Sequence, residues 1–194
     1  MNFNTSEINT LIQSRRSLFP RDYTGEKVSD EIVNQMLENA NWAPTHKFTE
    51  PWRFFVFTGD GIKKLVEFQA QCYKEVTTAK GTFKEDRYNG MLTIPTSSHI
   101  IAIAMKRDPN KGLPEVEEVG AVFCAFQNMQ LTATAYGVGC YLSTGGVTFF
   151  EEAKPFFNLG SDDKLLGFMH IGVPKGAAPA GRRKPIEEKV KWVR

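Results

Sequence analysis

Three groups of side chains in this 194-residue chain combine reactive or charged chemistry with tight spacing. Arg15-Arg16-Ser17 sets two guanidinium forks and a hydroxyl in consecutive positions, a donor set matched to phosphate. Arg182-Arg183 repeats the pair near the C-terminus, in a stretch rich in Pro, Ala and Gly that could fold back to the first. The third group is the segment Asn41-Trp42-Ala43-Pro44-Thr45-His46-Lys47-Phe48-Thr49-Glu50-Pro51-Trp52-Arg53-Phe54. Each proline biases the residue before it, Ala43 or Glu50, away from helix, so the segment is expected to be a shaped, extended loop. A loop with this much aromatic and cationic side chain suits binding. Tryptophans that cap a core, and arginines solvated at the carbonyl end of a helix, fit the same residues.

Other chemistries find little support. His46, His99 and His170 stand far apart among apolar neighbours, without metal-ligand spacing. There is no G-x-S-x-G elbow and no phosphate-cradling G-x-x-x-x-G-K-[ST]. Gly137-Val138-Gly139 follows a helical pattern rather than a strand, so it fails the context of a dinucleotide fingerprint. Cys72, Cys124 and Cys140 are odd in number and form no CxxC pair, as expected of free thiols in a reducing cytoplasm.

The elements that must position these groups follow from periodicity. Thr5 or Ser6 can cap a first helix with Ile8, Leu11 and Ile12 on one face, ending at Arg15-Arg16. Ser29 caps a second, with Ile32, Val33, Met36, Leu37 and Ala40 in register, which delivers the chain into the loop. Phe54–Phe57, His99–Met105 and Leu165–Gly172 read as short buried strands. Between the first two, a helix begins at Ile62 and extends toward Thr77. An irregular stretch, 78–96, reads as a lid or an excursion with some helix. The strongest helix carries Val116, Val119, Val122, Phe123, Phe126, Met129 and Ala133 and stops at Gly137. Its apolar residues wrap much of the circumference, which predicts a central position or burial against a second subunit. Gly139 to Gly146 reads as a glycine-bearing connection, and Thr148 and Glu151 have capping-box spacing for a short helix through Phe157.

Composition sets the frame. The chain has 24 basic and 22 acidic residues, a net charge of +2, so charge does not point to nucleic acid. No apolar run approaches the roughly 18 residues of a membrane span, and the N-terminus lacks the pattern of a signal peptide. These features predict one α/β or α+β domain over 1–194, with a sheet covered on both faces.

The motifs R-R-S, A-P-T-H-K-x-x-E-P-W-R-F, G-V-G-C-Y-L-S-T-G and the late G-V-P with R-K-P-I-E-E occur in this order from about Ile8 to Trp192. Together they resemble the flavin-dependent nitroreductase family, in its small single-domain form. That resemblance implies an α+β three-layer sandwich, a mixed central sheet covered by helices, and a C-terminal tail extending onto the partner subunit of a homodimer. It implies one FMN in each of two interface pockets, reduced by NADH or NADPH and reoxidised by nitroaromatics, quinones or related small-molecule acceptors. Donor and acceptor would use one pocket in turn, in ping-pong fashion, with hydride passing through flavin N5. Arg15, Arg16 and Ser17 match the segment that holds the FMN phosphate and ribityl chain, and Arg183 the C-terminal arginine that joins them. Trp42, Pro44, Thr45 and His46 match the loop that reaches the flavin from the other subunit. Leu142, Ser143, Thr144 and Gly145 match the connection beside the flavin ring, and Thr132 to Gly137 a stretch associated with the nicotinamide nucleotide. Lys47 or His46 could supply a cation or N–H donor near the reduced ring. Phe48 and Glu50 depart from the family's Asn and Gln, and Arg21 would replace a cation usually found nearer the R-R-S motif. Phe83, Arg87 and Tyr88, in the variable 78–96 stretch, are candidates for substrate choice. A flavin-sequestering protein, or an oxygen-using flavoenzyme of the same fold, would share these motifs.

Overall fold

The structure, a computed structural model, describes residues 3–194. Its order is α1 (Thr5–Ser14), α2 (Asp30–Asn41), β1 (Trp52–Thr58), α3 (Asp60–Ala79), α4 (Glu85–Met91), β2 (His99–Met105), α5 (Glu115–Ala135), β3 (Gly139–Ser143) and β4 (Lys164–Gly172). The strands form one sheet in the order β1-β2-β4-β3. The α+β class expected from the motifs is therefore present. The expected mixture of strand directions is not: all three pairings among the four strands are antiparallel, and the one parallel contact is an isolated bridge, Ser17 to Cys140.

Strand β2 shows why its sequence is uninterrupted hydrophobe. All seven residues are buried, Ile101, Ile103 and Met105 under α2 and α5, and Ile100, Ala102 and Ala104 under α3. A strand covered on both faces has no solvent-facing position to fill with a polar residue. On the first face Met36, Ala40, Val122, Met129 and Met169 complete the core. On the second, Leu65, Val66, Phe157 and Phe168 do so.

Several boundaries differ from expectation. Asn4 caps α1, its Oδ1 accepting from Ser6 N (3.1 Å) and Glu7 N (3.3 Å), in place of Thr5 or Ser6. Ser29 caps α2 as its spacing requires, accepting from Ile32 N. The connection 139–146 contains strand β3, paired from Gly139↔Gly172 to Ser143↔Phe168. The 148/151 capping box does not form: Thr148 Oγ1 donates to Gly145 O (3.2 Å), and the chain makes two 3-10 turns, Gly146–Phe149 and Glu151–Phe157. The 78–96 stretch does contain the expected piece of helix, α4, docked on α3 through Tyr73, Phe83 and Tyr88. Among the described residues no helix is long and apolar enough to cross a membrane.

Candidate functional site

Helix α1 ends at Ser14, and Arg15 turns to extended backbone (φ −58°, ψ 127°). The next residues run beside β3, with Leu18 N donating to Cys140 O (2.9 Å). Tyr23 fixes this edge. Fully buried, it donates through its hydroxyl to Leu18 O (2.7 Å) and His170 O (3.3 Å), and its ring fills space left by Gly172 and Gly139. Burial raises its phenol pKa far above the ordinary range.

This edge brings the arginines together. Arg15, Arg16 and Arg183 line one cavity of about 660 Å³ with Ile12, Gln13, Gln127 and Gly181. Arg16 clasps the site: it donates from Nη1 to Gln13 O (2.6 Å) and Arg15 O (2.9 Å), and from Nε to Pro179 O (2.9 Å) in the tail. A Cβ on Gly181 would overlap the Arg16 guanidinium, so the glycine permits the tail's close approach. Arg16 thus does satisfy carbonyls at the helix end, as a bland reading of the pair requires, and Arg183 Nη1 donates to Arg182 O (2.6 Å), but the Arg15 guanidinium donates to no carbonyl among the described residues. Neither Arg15 nor Arg183 pairs with a carboxylate among the described residues, and no acidic residue lines the cavity. Three guanidinium groups and two carboxamides without an acid are a donor set for a phosphate.

The same edge leads to Leu142, Ser143, Thr144 and Gly145. Ser17 lies opposite Cys140, so Ser143 is three residues farther along, roughly 10 Å at strand rise. Gly167 lets β4 pass beneath this end, since a Cβ there would lie 2.8 Å from Leu142 Cδ1 and 2.9 Å from Ser143 O. Phe19 packs on Tyr141 with ring centroids 4.5 Å apart, and the Arg21 guanidinium stands 4.9 Å over Phe19. Ser17, Phe19, Arg21 and Lys175 border an adjoining hollow of about 450 Å³. Arg87 of α4 reaches toward Gly146, whereas Phe83 and Tyr88 are packed against the α3-side core.

The loop Trp42–His46 is elsewhere. Trp42 is exposed beside a groove formed with Leu11, Asn39, Asn128, Thr132 and Tyr136. Asn39 Nδ2 donates to Thr132 Oγ1 (2.8 Å), which ties that groove's walls together. His46 Nδ1 lies 2.6 Å from Glu117 Oε2, and Lys47 Nζ donates to Gly112 O (3.2 Å). Both residues expected near the reduced ring are therefore held at the start of their own α5. Arg21 is the one that lies on the β3 edge. Neither Trp42, Pro44, Thr45 nor His46 lines the arginine cavity, so one chain carries the expected site residues as two separate patches. Thr134 and Gly137, from the 132–137 stretch, border a small hollow with Arg16.

His99 and His170 are structural. Burial lowers the pKa of His99 against the opposing pull of Asp30, whose Oδ1 is 3.1 Å from Nε2, and Ser98 Oγ faces its Nδ1 at 2.9 Å. Burial lowers His170 to about 4, with Ser97 Oγ 3.1 Å from Nδ1. Desolvation pushes the thiol of Cys72 up to about 11 and that of Cys140 higher still, so neither is poised as a thiolate. Gln127 and Gly181 are cavity residues that sequence reasoning missed. One of two glutamines on a mostly apolar helix and one glycine in a glycine-bearing tail carry no local signal.

Comparison with known proteins accords with this geometry. YfhC of Bacillus subtilis (strain 168), provisionally named an NAD(P)H nitroreductase, is 27% identical over 186 residues, 95% of this chain and 93% of that protein. A nitroreductase-like family protein from Bacillus cereus has a crystal structure that superposes with a TM-score of 0.79 at 30% identity, covering 100% of this chain and 98% of its own. A provisionally named nitroreductase from Desulfovibrio desulfuricans, solved in complex with FMN, gives a TM-score of 0.72 at 26% identity, over 100% and 99% of the two chains. Residues 12–173 match the family model of the nitroreductases, and the chain belongs to the nitroreductase family.

Proposed function

We propose that this chain is an FMN-dependent NAD(P)H oxidoreductase, a single FMN-binding domain over 1–194 that reduces nitroaromatic, quinone or related acceptors. The observation that carries the reading is the acid-free cavity lined by Arg15, Arg16 and Arg183 at the start of the edge that leads to Leu142–Gly145. The donor set fits the FMN phosphate, and Ser17 fits the ribityl chain beyond it. Ser143, Thr144 and Gly145 offer backbone N–H groups where the edge ends. When bound, FMN supplies hydride acceptance from NADH or NADPH and hydride delivery to the acceptor, chemistry that needs no catalytic side chain. The chain's residues bind, orient and exclude water. Arg21, which borders the hollow beside this edge together with Asp22 and Lys175, would balance negative charge on the reduced ring.

Two features support a homodimer. Helix α1 buries none of its residues within the chain, and Ile186, Val190 and Trp192 of the tail are exposed. A second copy would cover both and bring its Trp42–His46 patch, separate from the arginine cavity in one chain, to the flavin. The YfhC name and the FMN-bound relative support the donor and cofactor assignments. A reducing cytoplasm suits the free cysteines. One pocket used in turn by donor and acceptor gives parallel double-reciprocal lines. The decisive experiment is anaerobic mixing of the purified yellow protein with NADPH and then NADH. Bleaching of the flavin absorbance, restored by a nitroaromatic or a quinone, is expected; a flavin that neither donor bleaches overturns the proposal.

A further inference from the structure

The turn between α2 and β1 is strained. Lys47, Phe48 and Glu50 have φ of 51°, 53° and 42°, three of the five non-glycine residues with positive φ among those described. In that region the Cβ crowds the carbonyl oxygen, so side chains other than Gly, Asn and Asp are disfavoured there. The surroundings hold the turn from several sides. Glu50 N donates to Thr45 Oγ1 (3.1 Å), Thr49 N to His46 O (3.3 Å), Lys47 Nζ to Gly112 O (3.2 Å) and Lys106 N to Pro51 O (2.7 Å), while His46 meets Glu117. The neighbours of Phe48 are fixed, yet its own ring is 87% exposed and joins neither core.

Nothing among the described residues explains this arrangement. A phenylalanine gains free energy by burial, and a residue free to choose its backbone avoids positive φ. An anchor into a second subunit needs apolar area but no left-handed backbone. Strain combined with tethers on both sides does something else: it fixes the direction in which one ring projects before anything binds, which removes an ordering penalty from later contact.

We propose that Phe48 determines acceptor specificity: projecting from the loop that reaches the partner subunit, its ring forms one wall of the partner's flavin pocket and selects planar aromatic acceptors by stacking. This rests on the dimeric FMN reading above. Trp42, 83% exposed at the other end of the same loop, adds a second aromatic surface. The acceptors favoured are fused or conjugated rings, with compact non-aromatic oxidants disfavoured.

The test uses the FMN-loaded dimer of the full chain, with FMN content and sedimentation measured first. The probe is 2-naphthoate, a planar and redox-inert anion, titrated while the flavin absorbance shift is followed. Phe48→Asn keeps a residue that tolerates positive φ and removes the ring; Phe48→Tyr keeps the ring. Stacked aromatic pairs predict that Phe48→Asn raises the 2-naphthoate Kd about three- to tenfold. The ratio of kcat/KM for 1,4-naphthoquinone to that for ferricyanide is expected to fall by a similar factor, with the melting temperature no lower than wild type. Phe48→Tyr restores the affinity. An unchanged 2-naphthoate Kd in an FMN-loaded Phe48→Asn dimer overturns the proposal alone. A variant that dissociates to monomers while keeping its affinity makes Phe48 an interface anchor and overturns it too. A wild-type chain that purifies without FMN, or as a monomer, overturns the functional reading and this proposal together.

Discussion

Substitution of Arg15 by alanine separates two duties that the adjacent arginines divide between them. Arg16 is committed to three carbonyl oxygens, whereas Arg15 faces the same cavity and pairs with no carboxylate among the described residues. A hydrogen bond to a charged group contributes about 1.5–3 kcal/mol, and the half-exposed position of Arg15 favours the lower part of that range. Removing it should raise the Kd for FMN about 10- to 40-fold, since each 1.4 kcal/mol is about tenfold. The assay is fluorescence titration of the apoprotein with FMN and, in parallel, with riboflavin. Riboflavin lacks the phosphate, so Arg15→Ala should weaken FMN far more than riboflavin. Arg16→Ala should weaken FMN further than Arg15→Ala does, again with riboflavin little changed, because it also releases the tail held through Pro179 O and with it Arg183. Equal weakening of the two flavins by Arg15→Ala, or FMN affinity that does not change, would refute the phosphate assignment.

Two further outcomes follow from the frame around the site. Gly172→Ala would place a Cβ 2.9 Å from Tyr23 Cβ and nearer still to its ring, and the ring cannot swing away while its hydroxyl binds Leu18 O. Overpacking of this kind costs about 3 kcal/mol, a fall in melting temperature of roughly 6–12 °C by calorimetry, and a fall under about 2 °C would show that the edge repacks. His170 supplies a pH dependence. Its folded pKa, about 4, lies below the unfolded value of 6.5, so the neutral form is favoured in the fold. Its stabilisation is complete above about pH 6.5 and is lost as pH falls toward 4. Between pH 7.5 and 5 the wild type should lose about 2 kcal/mol more than His170→Asn in urea denaturation, and equal losses would exclude the buried imidazole as the cause.

The central strands were legible because both their faces are apolar, which leaves no ambiguity between a loop and a buried run. Helix α5 was legible in part for the same reason: hydrophobes around much of its circumference required it to be central or buried against a second subunit, and it packs on the sheet's first face. Strand β3 was not. Gly139-Cys140-Tyr141-Leu142-Ser143 begins with a glycine that exists to admit the Tyr23 ring, so the residue that reads as a loop former is a packing requirement set 116 positions earlier in the chain (139 less 23). Its pairing with β4 and the bridge to Ser17 are both non-local, and a window along the chain contains neither. The expected mixed sheet failed on the same point, because strand direction is a property of pairing rather than of composition.

The site divides along a similar line. By residue type Arg15-Arg16 fitted either a phosphate-type donor set or solvated arginines at a helix end, and only the family resemblance favoured the first. That only one of the pair faces the cavity without a prior commitment is decided by where the carbonyls of Gln13 and Pro179 fall. Gly181 matters because Arg16 lies against it, a fact about close approach that a glycine-rich tail hides among its other glycines. Phe48 is the strongest case. Its residue type argues for a strand or a core, and the structure places it in a left-handed turn with its ring in solvent. Local preference and observed conformation disagree there while agreeing in the sheet, and such disagreements concentrate where a fold is shaped for something other than its own stability. The turn's tethers run to α5, the β1–β2 side of the sheet and its own backbone, so the whole layer beneath it holds the ring in place. A chain that needed only a connection from α2 to β1 would have no use for that arrangement.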